Sequence, residues 1–176
     1  IISFGGGNPA SETFPVVKLK EISDDIFNNE PNSVLEYGIT EGDNDFKEEA
    51  IKFLSRHGNI VNDYDGVMVT SGSQQIMDFM AKCLCDEGDV VICENPSFLG
   101  ALNAFKSNGT KLVGVEMDDD GINIAKLEEA LKMPKKPKFI YLIPNFQNPT
   151  GITTSLEKRK AIYALAKKYQ VLILED

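Results

Sequence analysis

The amino-acid sequence predicts an α/β fold, a three-layer sandwich with a mostly parallel sheet between helices. Three observations carry this. From Gly66 onward, apolar runs of four or five residues alternate with segments of helical periodicity. The runs are apolar throughout, as strands buried on both faces must be. Polar turns rich in Gly, Ser and Asn follow two of them, Val67–Thr70 and Phe139–Ile143. Ligands of such sheets bind beyond the carboxyl ends of strands.

The elements follow in order. Ile2–Pro15 is Gly- and Pro-rich and reads as an extended arm or loop. Val16–Phe27 and Asp43–His57 have helical spacing and are joined by Tyr37-Gly-Ile-Thr-Glu-Gly42. His57 before Gly58 marks a helix C-terminus, where a cation and a glycine are both favourable. Val67–Thr70 is a strand. Ser73–Cys85 is a helix with Ile76, Met77, Met80 and Leu84 on one face. Val90–Cys93, Lys111–Val115 and Phe139–Ile143 are strands, separated by helices over Ser97–Lys106 and Ile124–Lys132. Lys132–Lys138 is a basic, solvated connector. Leu156–Tyr169 is a helix with Ile162, Leu165 and Ala166 on one face, and Val171–Leu174 is the last strand.

The 176 residues suit one domain that buries roughly 70% of its unfolded surface. Eighteen basic against 27 acidic residues give a net charge of −9. A phosphodiester backbone is repelled by such a surface, so no nucleic-acid partner is expected. No apolar run approaches the ~20 residues of a membrane helix, and no signal peptide is visible. Cys83, Cys85 and Cys93 lie in apolar surroundings, and His57 is the one histidine. Zinc wants paired Cys or His at ligand spacing, so no metal is expected. Buried free thiols fit a reducing cytoplasm. The chain starts at Ile1 and stops at Asp176, directly after the apolar run Val171–Leu174, and so reads as a fragment.

Two segments carry the chemistry. Val67-Met-Val-Thr-Ser-Gly-Ser-Gln-Gln75 is a strand breaking into a small-residue turn that opens a helix. Free backbone N–H groups and the positive end of a helix dipole then face an anion such as phosphate. Alone, Ser71-Gly72-Ser73 also reads as a plain N-cap. It lacks the lysine-bearing P-loop pattern, the three-glycine dinucleotide fingerprint and the hydrolase elbow. Ile143-Pro-Asn-Phe-Gln-Asn-Pro-Thr-Gly151 is a strand ending in a polar turn. Glu116–Gly121 imitates a calcium loop, but its twelfth position is Leu127, so a solvated acidic turn is expected. Ser155-Leu-Glu-Lys158 imitates a nucleophile motif; Ser155 reads as a helix cap, with Glu157 and Lys158 as surface charges. Asp176, directly after four apolar residues, is a carboxylate at the ligand edge or a strand-end cap.

Together these pieces resemble the large domain of fold-type I pyridoxal 5'-phosphate (PLP) enzymes of the class I/II aminotransferase family. The likeness is nearest the branch of 2-aminoadipate and kynurenine aminotransferases and their related regulators. It spans the chain in order: Tyr37–Gly42, Thr70–Gln75, Glu94-Asn-Pro-Ser-Phe98, Pro144–Gly151 and Leu172–Asp176. The resemblance implies an aminotransferase acting on an amino acid and a 2-oxo acid, in a cytoplasmic homodimer. Residues 1–36 would form an arm and helix, and residues 37–176 part of the PLP-binding large domain. Gly72, Ser73 and Gln74 would hold the phosphate, and Tyr37 would reach the phosphate of the neighbouring subunit. Phe98 would stack on the ring. Asn148 would donate to the phenolic oxygen, and Asp176 would pair with the pyridine nitrogen. Gly6 and Gly7, with Asn148, would line the substrate pocket. Asn148-Pro149 and Asn95-Pro96 are candidate cis peptides.

Two departures stand out. Phe98 replaces the more common Tyr or Trp, which keeps stacking and loses a phenolic hydrogen bond. No lysine here matches the context of the Schiff-base lysine, so the fragment alone is expected to be inactive. Two other functions share the pattern: the effector domain of a PLP-binding transcription regulator, which adds an N-terminal winged helix, and another fold-type I PLP enzyme such as a lyase or decarboxylase.

Overall fold

The structure is a computed structural model that describes residues 9–58 and 62–176. The chain divides into two compact units, Ile1–Val69 and Thr70–Asp176.

The first unit is helical among its described residues. A 3-10 turn at Ser11–Thr13, within the segment read as an extended arm or loop, precedes α1 (Val16–Asn29). Pro31 opens α2 (Pro31–Leu35), where its missing N–H costs nothing. Five residues are too few for a helical period, so nothing in the pattern sets α2 apart from a loop. Helix α3 (Asn44–Arg56) starts at Asp43, whose Oδ1 accepts from the Phe46 N–H at 2.8 Å. It ends at His57, which stacks on Phe53 with ring centroids 4.2 Å apart. Val67–Thr70 is not a strand. Its backbone makes one contact to a distant segment, from the Val69 N–H to the Glu41 carbonyl at 3.0 Å. An apolar run becomes a strand only where a neighbour takes up its backbone groups, and no described residue supplies that ladder.

The second unit is the predicted sandwich. Five strands run in the order β3-β2-β1-β4-β5. They are β1 (Val90–Asn95), β2 (Lys111–Asp118), β3 (Gly121–Ile122), β4 (Phe139–Leu142) and β5 (Leu172–Glu175). All pairings are parallel except β2 with the two-residue β3, which the sequence did not reveal. Helices α4 (Ser73–Leu84) and α5 (Leu99–Ser107) cover one face; α6 (Ile124–Leu131) and α7 (Leu156–Tyr169) cover the other. Alternate residues of β4 divide between the layers. Phe139 and Tyr141 pack with Met77, Ala101 and Phe105; Ile140 and Leu142 pack with Leu127, Ile162 and Ala166. Phe105 meets Phe139 and Tyr141 edge-on, with centroids 5.2 and 5.4 Å away. Such contacts add ~1 kcal/mol each beyond the burial itself.

Two side-chain expectations need correction. Cys83 is exposed, because it lies off the Met77–Ala81 stripe that α4 turns to the core. Cys93 is buried, and burial pushes its thiol up to about 11. Lys158 is not a surface charge: its side chain is 13% exposed. It bonds Asp118 at 2.6 Å, Asp120 at 2.9 Å and the Gly121 carbonyl at 3.1 Å. The acidic turn is thus a counter-charge for Lys158. Ser155 caps α7 as expected. Both Asn95-Pro96 and Asn148-Pro149 are cis. Among the described residues no helix is long and apolar enough to cross a membrane.

At the start of β1, Asp89 receives Lys135 at 2.8 Å, Lys138 at 3.1 Å and the Asp86 N–H at 2.9 Å. Lys135 first, then the Asp86 N–H and Lys138, hold its carboxyl well below the usual range. A depressed carboxylate stabilises the fold above its unfolded value of ~4 and loses that contribution as pH falls through the folded value. Asp89→Asn is therefore expected to flatten the fall of Tm from about pH 5 toward pH 2. Thermal melts of the full-length protein across that range check this. Glu128, held down to about 2 by Lys168 and the Tyr169 hydroxyl, keeps a residual acid slope in the variant.

Candidate functional site

Strands β1, β4 and β5 run parallel and finish at one edge of the sheet, at Asn95, Leu142 and Glu175. The segments leaving this edge carry Phe98, Asn148 and Asp176. The first turn of α4, with Gly72, Ser73 and Gln74, is tied to the first turn of α5. The Gln74 Nε2 donates to the Gly100 carbonyl at 3.0 Å.

The α4 start is shaped by its own backbone. Gly72 is the N-cap with φ +72°, a conformation that side-chain-bearing residues rarely adopt, and it offers no side-chain acceptor. The Gly72 N–H donates to the Thr70 carbonyl and the Gln75 N–H to the Gly72 carbonyl, at 2.9 and 3.3 Å. The Gln75 Oε1 reaches back to accept the Ser71 N–H at 2.7 Å, as in a capping box. The N–H groups of Ser73 and Gln74 are left at the positive end of the helix without intrahelical acceptors, a ready seat for an anion.

Phe98 is half-buried and precedes α5. Its ring lies over Gly100: a Cβ there would sit 2.5 Å from both Phe98 Cζ and Gln74 Oε1. Gly100 is the close approach on which both neighbours depend. Asp176 continues the β5 ladder, its N–H donating to the Leu142 carbonyl at 3.0 Å. Its side chain is exposed, and its Oδ2 accepts from the Tyr141 hydroxyl at 2.7 Å. Tyr141 is fully buried in the α4/α5 layer. Burial first, then Asp176, pushes its hydroxyl far above the usual phenol range, so it stays a neutral donor.

Asn148 is exposed at the start of a turn, Asn148–Thr150, on the β4–α7 loop. The loop is braced from within. The Gln147 side chain, 1% exposed, donates through Nε2 to Glu94 Oε2 at 3.1 Å and to the Pro96 carbonyl at 2.9 Å. Its Oε1 accepts from the Thr150 N–H at 3.0 Å and from the Thr150 hydroxyl at 2.7 Å. Arg159 of α7 donates to the Thr154 and Pro144 carbonyls and to Asn145 Oδ1, at 2.7 to 2.9 Å. Phe146 is held at φ +49° and is 81% exposed, a strained backbone for a bulky residue.

The structure thus gathers Gly72, Ser73, Gln74, Phe98, Asn148 and Asp176 along the carboxyl edge of the second unit. Tyr37 belongs to the first unit and is 99% exposed. Gly6 and Gly7 lie outside the described residues. Sequence reasoning assigned no role to Tyr141, Glu94, Gln147 or Arg159. Glu94 had a signal: a carboxylate directly after the apolar run Val90–Cys93, with no cation near in sequence. Among the described residues no group of three or more His, Cys, Asp and Glu could hold a metal ion.

Comparison with known proteins accords with this fold. Residues 1–176 match the family "Aminotransferase class I and II". The chain is 37% identical over 180 residues to aromatic-amino-acid aminotransferase 1 of Thermococcus litoralis, covering all of this chain and 43% of the relative. The structure superposes on the kynurenine aminotransferase of Pyrococcus horikoshii, solved in complex with PMP, with a TM-score of 0.92 and 36% identity; 97% of this chain and 43% of that one are covered. It superposes on the α-aminoadipate aminotransferase LysN of Thermus thermophilus, complexed with N-(5'-phosphopyridoxyl)-L-leucine. That TM-score is 0.87 at 34% identity, with 98% and 43% covered. The chain therefore spans less than half the length of these relatives. The family match over all 176 residues, with a relative 37% identical along the whole chain, places this parallel-sheet protein in the class I and II aminotransferase family.

Proposed function

We propose that this chain is part of a PLP-dependent aminotransferase that moves an amino group between an amino acid and a 2-oxo acid. The observation that carries the reading is the donor set on the carboxyl edge, which suits the separate parts of one molecule. Two N–H groups without helical acceptors and the Ser73 hydroxyl at the α4 start suit a phosphate dianion. The half-buried Phe98 ring suits an aromatic face. The exposed Asn148 amide suits a phenolic oxygen, and the exposed Asp176 carboxylate suits a protonated ring nitrogen.

When bound, PLP supplies an electron sink for charge developing on the substrate. The chain's own residues keep that sink effective. Asp176 favours the protonated pyridine nitrogen, since an opposite charge stabilises the charged form. Tyr141 orients Asp176 without cancelling its charge, because a phenol donates a hydrogen bond and carries no charge. Asn148 stabilises negative charge on the phenolic oxygen. Gly72, Ser73 and Gln74 would anchor the phosphate, and Phe98 would lie against the ring face. In this reading residues 37–176 belong to the PLP-binding large domain. Tyr37 reaches the phosphate of a second subunit in a homodimer, and Asn148 lines the substrate pocket. The three cysteines, unpaired in the structure, support a cytoplasmic protein. The relatives named for aromatic amino acids, kynurenine and α-aminoadipate make these the amino donors to test first.

The full-length protein loaded with PLP is expected to lose its long-wavelength absorption on adding an amino donor and to release the matching 2-oxo acid. A protein that binds no PLP overturns the reading. Asp176→Asn is expected to fold and bind PLP while kcat falls by about 10²-fold or more, as for loss of a preorganised electrostatic contact. Parallel cofactor titration and steady-state kinetics check this. Gly100→Ala drives a Cβ into the Phe98 ring. PLP affinity is expected to fall about fivefold, the equivalent of one lost offset stack, with the native circular dichroism spectrum retained.

A further inference from the structure

We propose that Glu94 and Gln147 form a buried latch that holds the Phe98 segment and the Asn148 turn at a fixed spacing, making both positioning residues for the PLP ring. The inference rests on the PLP reading above. Its basis is a set of contacts that packing alone does not require.

The β1–β4 ladder stops at the pair Cys93 and Tyr141. Beyond it the Glu94 side chain takes over: Oε2 accepts the Ile143 N–H at 3.1 Å and the Gln147 Nε2 at 3.1 Å. Glu94 is 2% exposed, and its Oε1 finds no hydrogen-bond partner among the described residues. A carboxylate with no cation beside it is a costly choice for this place. An apolar side chain would fill the volume but could not accept two N–H groups. Burial pushes the Glu94 carboxyl upward, against the pull of its two donors. That such a group sits here points to a need for its acceptor oxygen.

Gln147 has no freedom to turn over. The Pro96 carbonyl can only accept, which places Nε2 beside it, and the Thr150 N–H can only donate, which places Oε1 on the other side. One amide therefore joins three stretches of chain: the end of β1, the Pro96 carbonyl two residues before Phe98, and the turn that begins at Asn148. Phe98 addresses the ring face and Asn148 the ring's oxygen. The latch sets the distance between face and edge contacts.

The test uses the full-length protein and three variants: Asn148→Ala, Gln147→Leu and Glu94→Gln. The readouts are PLP affinity, Tm, and the pH at which the absorption of bound PLP titrates. Asn148 lowers the basicity of the phenolic oxygen, so losing its contact raises that titration pH. Gln147→Leu frees groups that water can reach at Pro96 and Thr150 and is expected to fold. It should copy Asn148→Ala, moving the titration up by about 1 pH unit, a tenfold change in proton affinity, and should also weaken PLP binding about tenfold. Glu94→Gln keeps an acceptor oxygen where Oε2 lies and is expected to stay within twofold of the parent. A folded Gln147→Leu variant that titrates and binds like the parent, while Asn148→Ala moves, overturns the latch and leaves the function standing. A Glu94→Gln variant as damaged as Gln147→Leu also overturns it, since the charge and not the acceptor would then matter. An Asn148→Ala variant that binds PLP with an unmoved titration overturns the reading of Asn148 itself.

Discussion

A parallel sheet covered by helices on both faces has no wet side. In this protein that constraint decides where chemistry can happen. Strands β1 and β4 are buried nearly from end to end, so polar groups cannot sit along them without an isolated cost. They collect where the ladders end, at Glu94 to Pro96, Ile143 to Gln147, and Asp176. Ladder ends also leave backbone N–H groups without strand partners. Glu94 answers one of these at Ile143. The carboxyl edge is therefore polar because the sheet is apolar.

The same edge is stiff. Gln147 uses one end of its amide on Thr150 within the loop and the other on Glu94 and Pro96 at the end of β1, and Arg159 directs its donors to two carbonyls and to Asn145. With those groups satisfied, Asn148 stands exposed on a braced turn. The α4 start follows a similar logic. The backbone N–H of Ser71 and the Gly72 and Gln75 groups are satisfied locally, while the Ser73 and Gln74 donors remain to be answered from outside. Donors held in place before a ligand arrives need no reorganisation when it does. Phe146 at φ +49° belongs to this picture: a tightly tied loop can hold a bulky residue in a conformation worth of order 1 kcal/mol of strain.

Much of this was legible in the sequence. Uniform apolar runs and helical stripes are strong periodic signals, and the helix Leu156–Tyr169 and the four strands from Val90 to Glu175 stand close to where they were read. Phe98, Asn148 and Asp176 sit on the segments that leave the carboxyl ends of β1, β4 and β5. What stayed hidden has physical reasons. Val67–Thr70 has the composition of a strand, but a strand is a pairing and not a composition. The pair Gly121–Ile122 is too short for any period. Lys158 looked like a surface charge because a sequence does not show that the turn at Asp118 and Asp120 folds back onto the α7 start 40 residues away. Glu94 and Gln147, 53 residues apart, and Tyr141 and Asp176, 35 apart, become partners only once β1, β4 and β5 lie side by side.

That last pair shows why the fold matters to the chemistry more than any single motif. A carboxylate meant to pair with a ring nitrogen must be held in one orientation yet keep its charge. A lysine or arginine at its side would orient it and cancel it. A serine would leave it both charged and mobile. Tyr141 does neither: its ring is locked edge-on against Phe105, its hydroxyl cannot ionise at ordinary pH, and it reaches Asp176 from inside the core. Occupying Oδ2 with a neutral donor leaves the full charge of the group facing outward at the exposed edge. The anion seat at Ser73 and Gln74 could serve many phosphorylated ligands. In the proposed PLP reading, the carboxylate oriented by a buried phenol is the part that selects a ligand with a ring nitrogen to protonate.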